Sequence, residues 1–240
     1  MKSRVMLVIL VFAGSAVAQF DSRATVLVSA SDLGTPSRVR KELERANELL
    51  AKQELTHALE KLQKAIAIYP ACAVAYNNLA VVYARQGDVE RGRKALQEAI
   101  SLDDSFALAY VNLGRMNIRA HDFQSAEAAL SKAYVLDSAE PQTLILLAYA
   151  ALMDRRFEEA ITAGRKAHDS PKPHALAHRL AANALEFEGQ APGAIAELET
   201  FLAEDPSGPQ ADTARAELAR LRAVSQQPVL NTASARTPVP

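Results

Sequence analysis

His174-Ala-Leu-Ala-His178 places two imidazoles four residues apart, which on a helix brings both to one face, the arrangement with which a histidine pair holds a metal ion. A metallohydrolase helix adds a glutamate between the pair as general base, and a third ligand nearby. No glutamate stands between these two, and His168 lies across a turn containing Pro171 and Pro173. Two readings stand: a metal-dependent enzyme built on this region, or histidines used for packing. A second group carries a different chemistry. Asn78 and Asn112 sit in Tyr-Asn-Asn-Leu and Tyr-Val-Asn-Leu, with Arg85, Arg115 and Arg119 close by. An amide both donates and accepts, so a ladder of amides can hydrogen-bond an extended backbone without reading its side chains. Arginines beside it can receive carboxylates. Asparagines bonded to neighbouring helices, with solvated arginines, are the competing reading. Glu158-Glu159 reads as a solvated helix start. The chain has no glycine-rich phosphate loop, nucleophile elbow or recognisable Cys-His pairing, and nothing calls for a cofactor.

The elements that must position these groups follow from a period. Ala58, Gly92, Ala126, Ala160 and Ala194 are each 34 residues apart. Leu62, Leu96, Leu130, Gly164 and Leu198 keep the same interval, as do Ala65, Ala99, Ala133, Ala167 and Phe201. Turns close the units at Pro70, Asp104, Ser138, Lys172 and Pro206. A fixed period of this length marks a stacked solenoid, in which each helical pair buries its apolar face only against its neighbours. Ala73 to Gln86 and Val89 to Leu102 carry apolar residues at three-four spacing. Gly87-Asp88 breaks the run, glycine permitting a stop and aspartate capping the next start. His178 falls in the register of Tyr76 and Tyr110, which favours packing for it. The composition, 49% hydrophobic and only 5% aromatic, suits close helix-on-helix contact rather than a sheet.

Tyr76-x-x-Leu79-Ala80-x-x-Tyr83 with Gly87-Asp88, and Tyr110-x-x-Leu113-Gly114, resemble the tetratricopeptide repeat. The resemblance spans five units: 39–72, 73–106, 107–140, 141–174 and 175–208. Departures are Glu42 and Arg45 at usually apolar positions, Arg155 at the turn glycine, and His178 in the last unit. The implied fold is an all-α, right-handed α-solenoid of helix-turn-helix repeats. Residues 209–225 are expected to add an amphipathic capping helix.

In this family the first helices line the concave surface. At 100° per residue the fourth, seventh, eighth and eleventh positions of a unit form its packed seam, and the second, sixth, ninth and thirteenth point the other way. That free face comprises Arg40, Glu44 and Asn47, then Val74, Asn78, Val81 and Arg85, then Leu108, Asn112, Arg115 and Arg119. It continues with Gln142, Leu146, Tyr149 and Met153, and ends with Leu176, Leu180, Asn183 and Phe187. The resemblance thus implies a peptide-binding groove that is polar in its first half and apolar in its second. In relatives that clamp a terminal carboxylate, basic residues stand where this chain has Leu43, Leu108 and Asn112, so that subtype is disfavoured.

The chain ends suggest a location. Lys2 and Arg4, the apolar run Val5 to Phe12, and Ala16-Val17-Ala18 have the form of a secretory signal peptide over residues 1–18, cleaved before Gln19. Gln19 is not cysteine, so no lipid attachment is expected, and the run is too short to span a bilayer. Cys72 is the single cysteine, so no disulfide forms within the chain. In the extension 19–38, Ala24 to Ala30 is β-prone and either adds a strand to a partner's sheet or stays loose; residues 226–240 are expected to be disordered. With 27 basic against 28 acidic residues the positive excess of a nucleic-acid binder is missing. These observations point to an exported, non-catalytic adaptor for a protein or peptide partner, in a bacterial envelope setting. A subunit of a permanent envelope complex is the alternative within the same class.

Overall fold

The structure, a computed structural model, describes residues 35–138, 140–169 and 174–226. The expected signal segment, the β-prone stretch and the tail beyond Gln226 lie outside these residues, as does the turn at Lys172. Among the described residues there are eleven helices and no strand. The first helices of the units are α1 (Ser37–Ala51), α3 (Ala73–Arg85), α5 (Ala107–Arg119), α7 (Pro141–Met153) and α9 (Leu176–Phe187). The second helices are α2 (Leu55–Ile68), α4 (Val89–Leu102), α6 (Phe123–Leu136), α8 (Phe157–His168) and α10 (Ala191–Glu204), followed by α11 (Ala211–Ser225). None of them is long and apolar enough to cross a membrane.

Every unit turns through the same backbone device. Gln53, Gly87, His121, Arg155 and Gly189 adopt positive φ of 60°, 77°, 58°, 63° and 77°, one per unit. The next amide donates back to the carbonyl five residues earlier: Glu54 to Leu49, Asp88 to Tyr83, Asp122 to Asn117, Arg156 to Ala151 and Gln190 to Leu185, at 2.8–2.9 Å. This closure satisfies carbonyls that the helix end leaves open. Arg155 therefore makes the turn that Gly87 makes, at the strain a side chain meets in the left-handed region. Asp88 and Asp122 cap α4 and α6, accepting from the backbone amides of Arg91 and Ser125 at 2.9 and 3.2 Å. Hydrogen bonds to the ionised form hold both carboxyls below the usual aspartate range. Arg156 occupies the same position before α8 and instead forms ion pairs with Glu127 at 2.6 Å, Asp154 at 3.1 Å and Glu159.

Packing follows the period. Leu62, Leu96, Leu130 and Leu198 are fully buried, each surrounded by the repeating alanines. The fourth unit has Gly164 in this column. A Cβ there would sit 3.1 Å from the Ala177 carbonyl oxygen, so the missing side chain lets α9 approach α8 closely. Each first helix packs on its own second helix and on the second helix of the preceding unit. From α3 onward the backbones of consecutive first helices also come close, while α1 meets α3 through side chains. The core forms two clusters that meet in the third unit, one from Val39 to Met116 and one from Val111 to Leu221.

The end of the stack is closed by α11, which buries Ala211, Ala214, Leu218 and Leu221 against the fifth unit. A charged network lies beneath it. Arg179, 2% exposed, reaches Glu217 Oε2 at 2.6 Å and donates to Asn183 Oδ1 at 3.0 Å. Glu186 lies next to Glu217 and 2.6 Å from Arg220. Burial and the adjoining Glu217 carboxyl push its own carboxyl above the usual glutamate range.

Candidate functional site

The inner surface is built from four columns, each advancing 34 residues along the first helices. The amide column occupies α1 to α5 and is joined into one hydrogen-bonded chain. Asn112 Nδ2 donates to Asn77 Oδ1 at 2.8 Å, Asn77 Nδ2 to Asn78 Oδ1 at 3.1 Å, and Asn78 Nδ2 to Asn47 Oδ1 at 3.1 Å. All three bonds run in the same direction, so they polarise one another. Asn77 and Asn78 are fully buried and Asn112 is nearly so, while Asn47 is half-buried and ends the chain as its last acceptor. The expectation that Asn78 and Asn112 lie open on a free face is corrected here. Their amides are engaged with each other, with Asn77 and with Asn47, and of the four only Asn47 is not buried.

The arginine column has a defined structural task as well. Arg85 Nη1 donates to the Leu50 carbonyl at 2.5 Å and Arg119 Nη1 to the Ala84 carbonyl at 3.0 Å. Each reaches back 35 residues and caps the last turn of the preceding first helix, where carbonyls lack helical partners and the helix dipole is negative. Arg85 remains exposed, whereas Arg115 and Arg119 are half-buried. The three place positive charge on the first helices of the second and third units.

The second half differs from its expectation more strongly. Leu146, Tyr149, Leu180 and Asn183 are buried, at 2%, 5%, 3% and 7% exposure, and Leu176 is buried with them. Burial pushes the Tyr149 phenol up to about 12. Met153 and Phe187 are half-buried, Phe187 stacked on Phe157 with centroids 5.0 Å apart. These residues therefore do not line an open apolar groove. Leu146, Tyr149, Leu176 and Leu180 belong to the hydrophobic core, and α7 packs directly on α9.

His174 and His178 do not converge. His174 Nδ1 accepts the Leu176 backbone N–H at 3.2 Å at the start of α9, while His178 faces His168, Glu197 and Glu204.

A model described as TPR repeat matches residues 46–87, and one described as tetratricopeptide repeat matches 82–141 and 111–173, together more than half of the chain. The chain belongs to the tetratricopeptide repeat family. No curated protein sequence matches it. Solved TPR structures are similar in fold. MamA (residues 41 to end) from Desulfovibrio magneticus RS-1 has a TM-score of 0.66 at 15% identity, over 73% of this chain and 99% of that one. YrrB, described as a TPR protein with an unusual peptide-binding site, gives 0.63 at 18% identity, over 80% and 99%. A tetratricopeptide repeat protein from Parabacteroides merdae gives 0.68 at 15% identity, over 78% and 75%. At these identities the likeness is one of fold. As a TPR protein the chain is a protein-interaction scaffold.

Proposed function

We propose that this TPR protein is an exported, non-catalytic scaffold that holds an extended, partly acidic segment of a partner along the inner surface of its first three units. The observation that carries this reading is the polarised amide chain ending at Asn47, flanked by Arg85, Arg115 and Arg119. A terminal amide donor suits a backbone carbonyl, and fixed guanidinium groups suit carboxylates spaced along an extended strand. Peptide binding by a protein of the same fold supports the class of ligand, and the features of residues 1–18 support export to a bacterial periplasm, with a part in envelope assembly or secretion.

Random-peptide display against the purified chain tests the binding reading. Selected sequences should be rich in Asp and Glu, and Arg115→Glu with Arg119→Glu should abolish their capture. Selection unaffected by that charge reversal would overturn it. Sequencing of exported protein should begin at Gln19; a start at Met1 would remove the export reading.

A further inference from the structure

We infer that His168, His178 and Glu204 form a site for one divalent transition metal ion of the zinc class, joining the fourth unit to the fifth. The three residues come from three helices that meet at one edge of the stack: His168 ends α8, His178 lies in the first turn of α9, and Glu204 ends α10. Their donor atoms lie within 4.8 Å of one another. Glu204 Oε1 is 3.2 Å from His168 Nε2 and 3.7 Å from His178 Nε2. A tetrahedral ion bound at roughly 2.0–2.2 Å sets its donor atoms about 3.4 Å apart, a value these two separations bracket. The imidazole rings are tilted 58° to each other with centroids 4.4 Å apart, so both can turn a nitrogen to one point.

The surroundings prepare the histidines as ligands. His178 Nδ1 lies 2.6 Å from Glu197 Oε2, and since a carboxylate only accepts, Nδ1 carries the hydrogen, which in the neutral ring leaves the lone pair on Nε2. That Nε2 is inaccessible to solvent and makes no hydrogen bond. A carboxylate behind a ligating imidazole fixes its tautomer and raises its basicity, and Arg165 Nε at 3.5 Å from Glu197 Oε1 keeps that carboxylate in this supporting place. Two imidazoles and one carboxylate select a zinc-class ion over calcium or magnesium, which want oxygen ligands throughout. Three protein ligands leave the fourth position to water. Because the ligands meet only when α8, α9 and α10 are stacked, the ion binds the folded array and stabilises it.

Zinc titration of tag-free full-length protein, followed by calorimetry and thermal unfolding, tests this. One ion per chain and a raised midpoint are expected, and cobalt(II) should give the intense visible absorption of tetrahedral coordination. His168→Ala and His178→Gln should each weaken zinc binding by more than the roughly 10–100-fold that a second-sphere change such as Glu197→Gln costs. Glu204→Gln, a partly exposed position where folding is not at stake, should weaken it comparably. His174→Ala should leave it unchanged. Saturable binding that survives His168→Ala and Glu204→Gln, equal loss in His174→Ala, or no binding to the wild-type chain would overturn the inference.

Discussion

Units one to three and units four to five share one backbone, turn for turn, yet use the same inner columns in opposite ways. The sixth position runs Glu44, Asn78, Asn112, Leu146, Leu180, and the thirteenth runs Ala51, Arg85, Arg119, Met153, Phe187. In units two and three these positions hold amides that bond across helices and arginines that cap the first helix of the unit before. In the second half the column holds leucines that are simply buried. A buried amide keeps its place through directed bonds, and the end of such a chain must meet something polar. A buried leucine asks only for volume and contact. The binding proposed above therefore falls where the stack is held by hydrogen bonds, while the other half is held by apolar packing and by the α11 network.

The largest expected effect lies in the rigid half. Glu217→Ala leaves Arg179 buried without its carboxylate, which should cost about 3–5 kcal/mol. Chemical denaturation should register that loss, and hydrogen exchange should place it in α9 to α11 with α1 to α4 unchanged. Equal loosening at both ends would mean that the halves are not separate. Leu146→Ala follows, at about 2–5 kcal/mol for a fully buried leucine. Its signature is lost stability with unchanged peptide affinity in whatever fraction remains folded; loss of affinity there would restore a binding role to the apolar half. Asn78→Ala should cost less, about 1–3 kcal/mol, by orphaning the Asn77 donor and the Asn47 acceptor. Unlike Leu146→Ala it should also weaken peptide capture, because Asn47 loses the bond that orients it. Arg155→Gly has the opposite sign, a gain of about 1 kcal/mol from relieving the left-handed turn. If thermal unfolding finds a loss instead, Arg155 contributes through its side chain.

Much of this was legible in the chain itself. The 34-residue interval locates the helical pairs, Gly87-Asp88 marks a turn and its cap, and residues 209–225 carry the pattern of a closing helix. A turn at Arg155 is harder to see, because the left-handed φ there is imposed by packing on both sides rather than by residue type. The fate of Asn78 turned on Asn77, an asparagine without a counterpart 34 residues on and therefore silent in the period. Arg85 and Arg119 did recur in register, and that recurrence was the signal of a capping role as much as of a binding one. Contacts between consecutive first helices depend on how tightly the stack curves, which position along one helix does not encode. His168 and Glu204 joined His178 across 10 and 26 residues of sequence, outside any helical spacing.

The central claim is that partner binding belongs to the polar half. It is tested most directly by hydrogen exchange on the chain with and without a display-selected acidic peptide. Protection should appear at the inner positions of α1, α3 and α5, around Asn47, Arg85, Arg115 and Arg119, and be lost with Arg115→Glu. Protection centred instead on α7 and α9, or on the outward faces of α2, α4 and α6, would contradict the account.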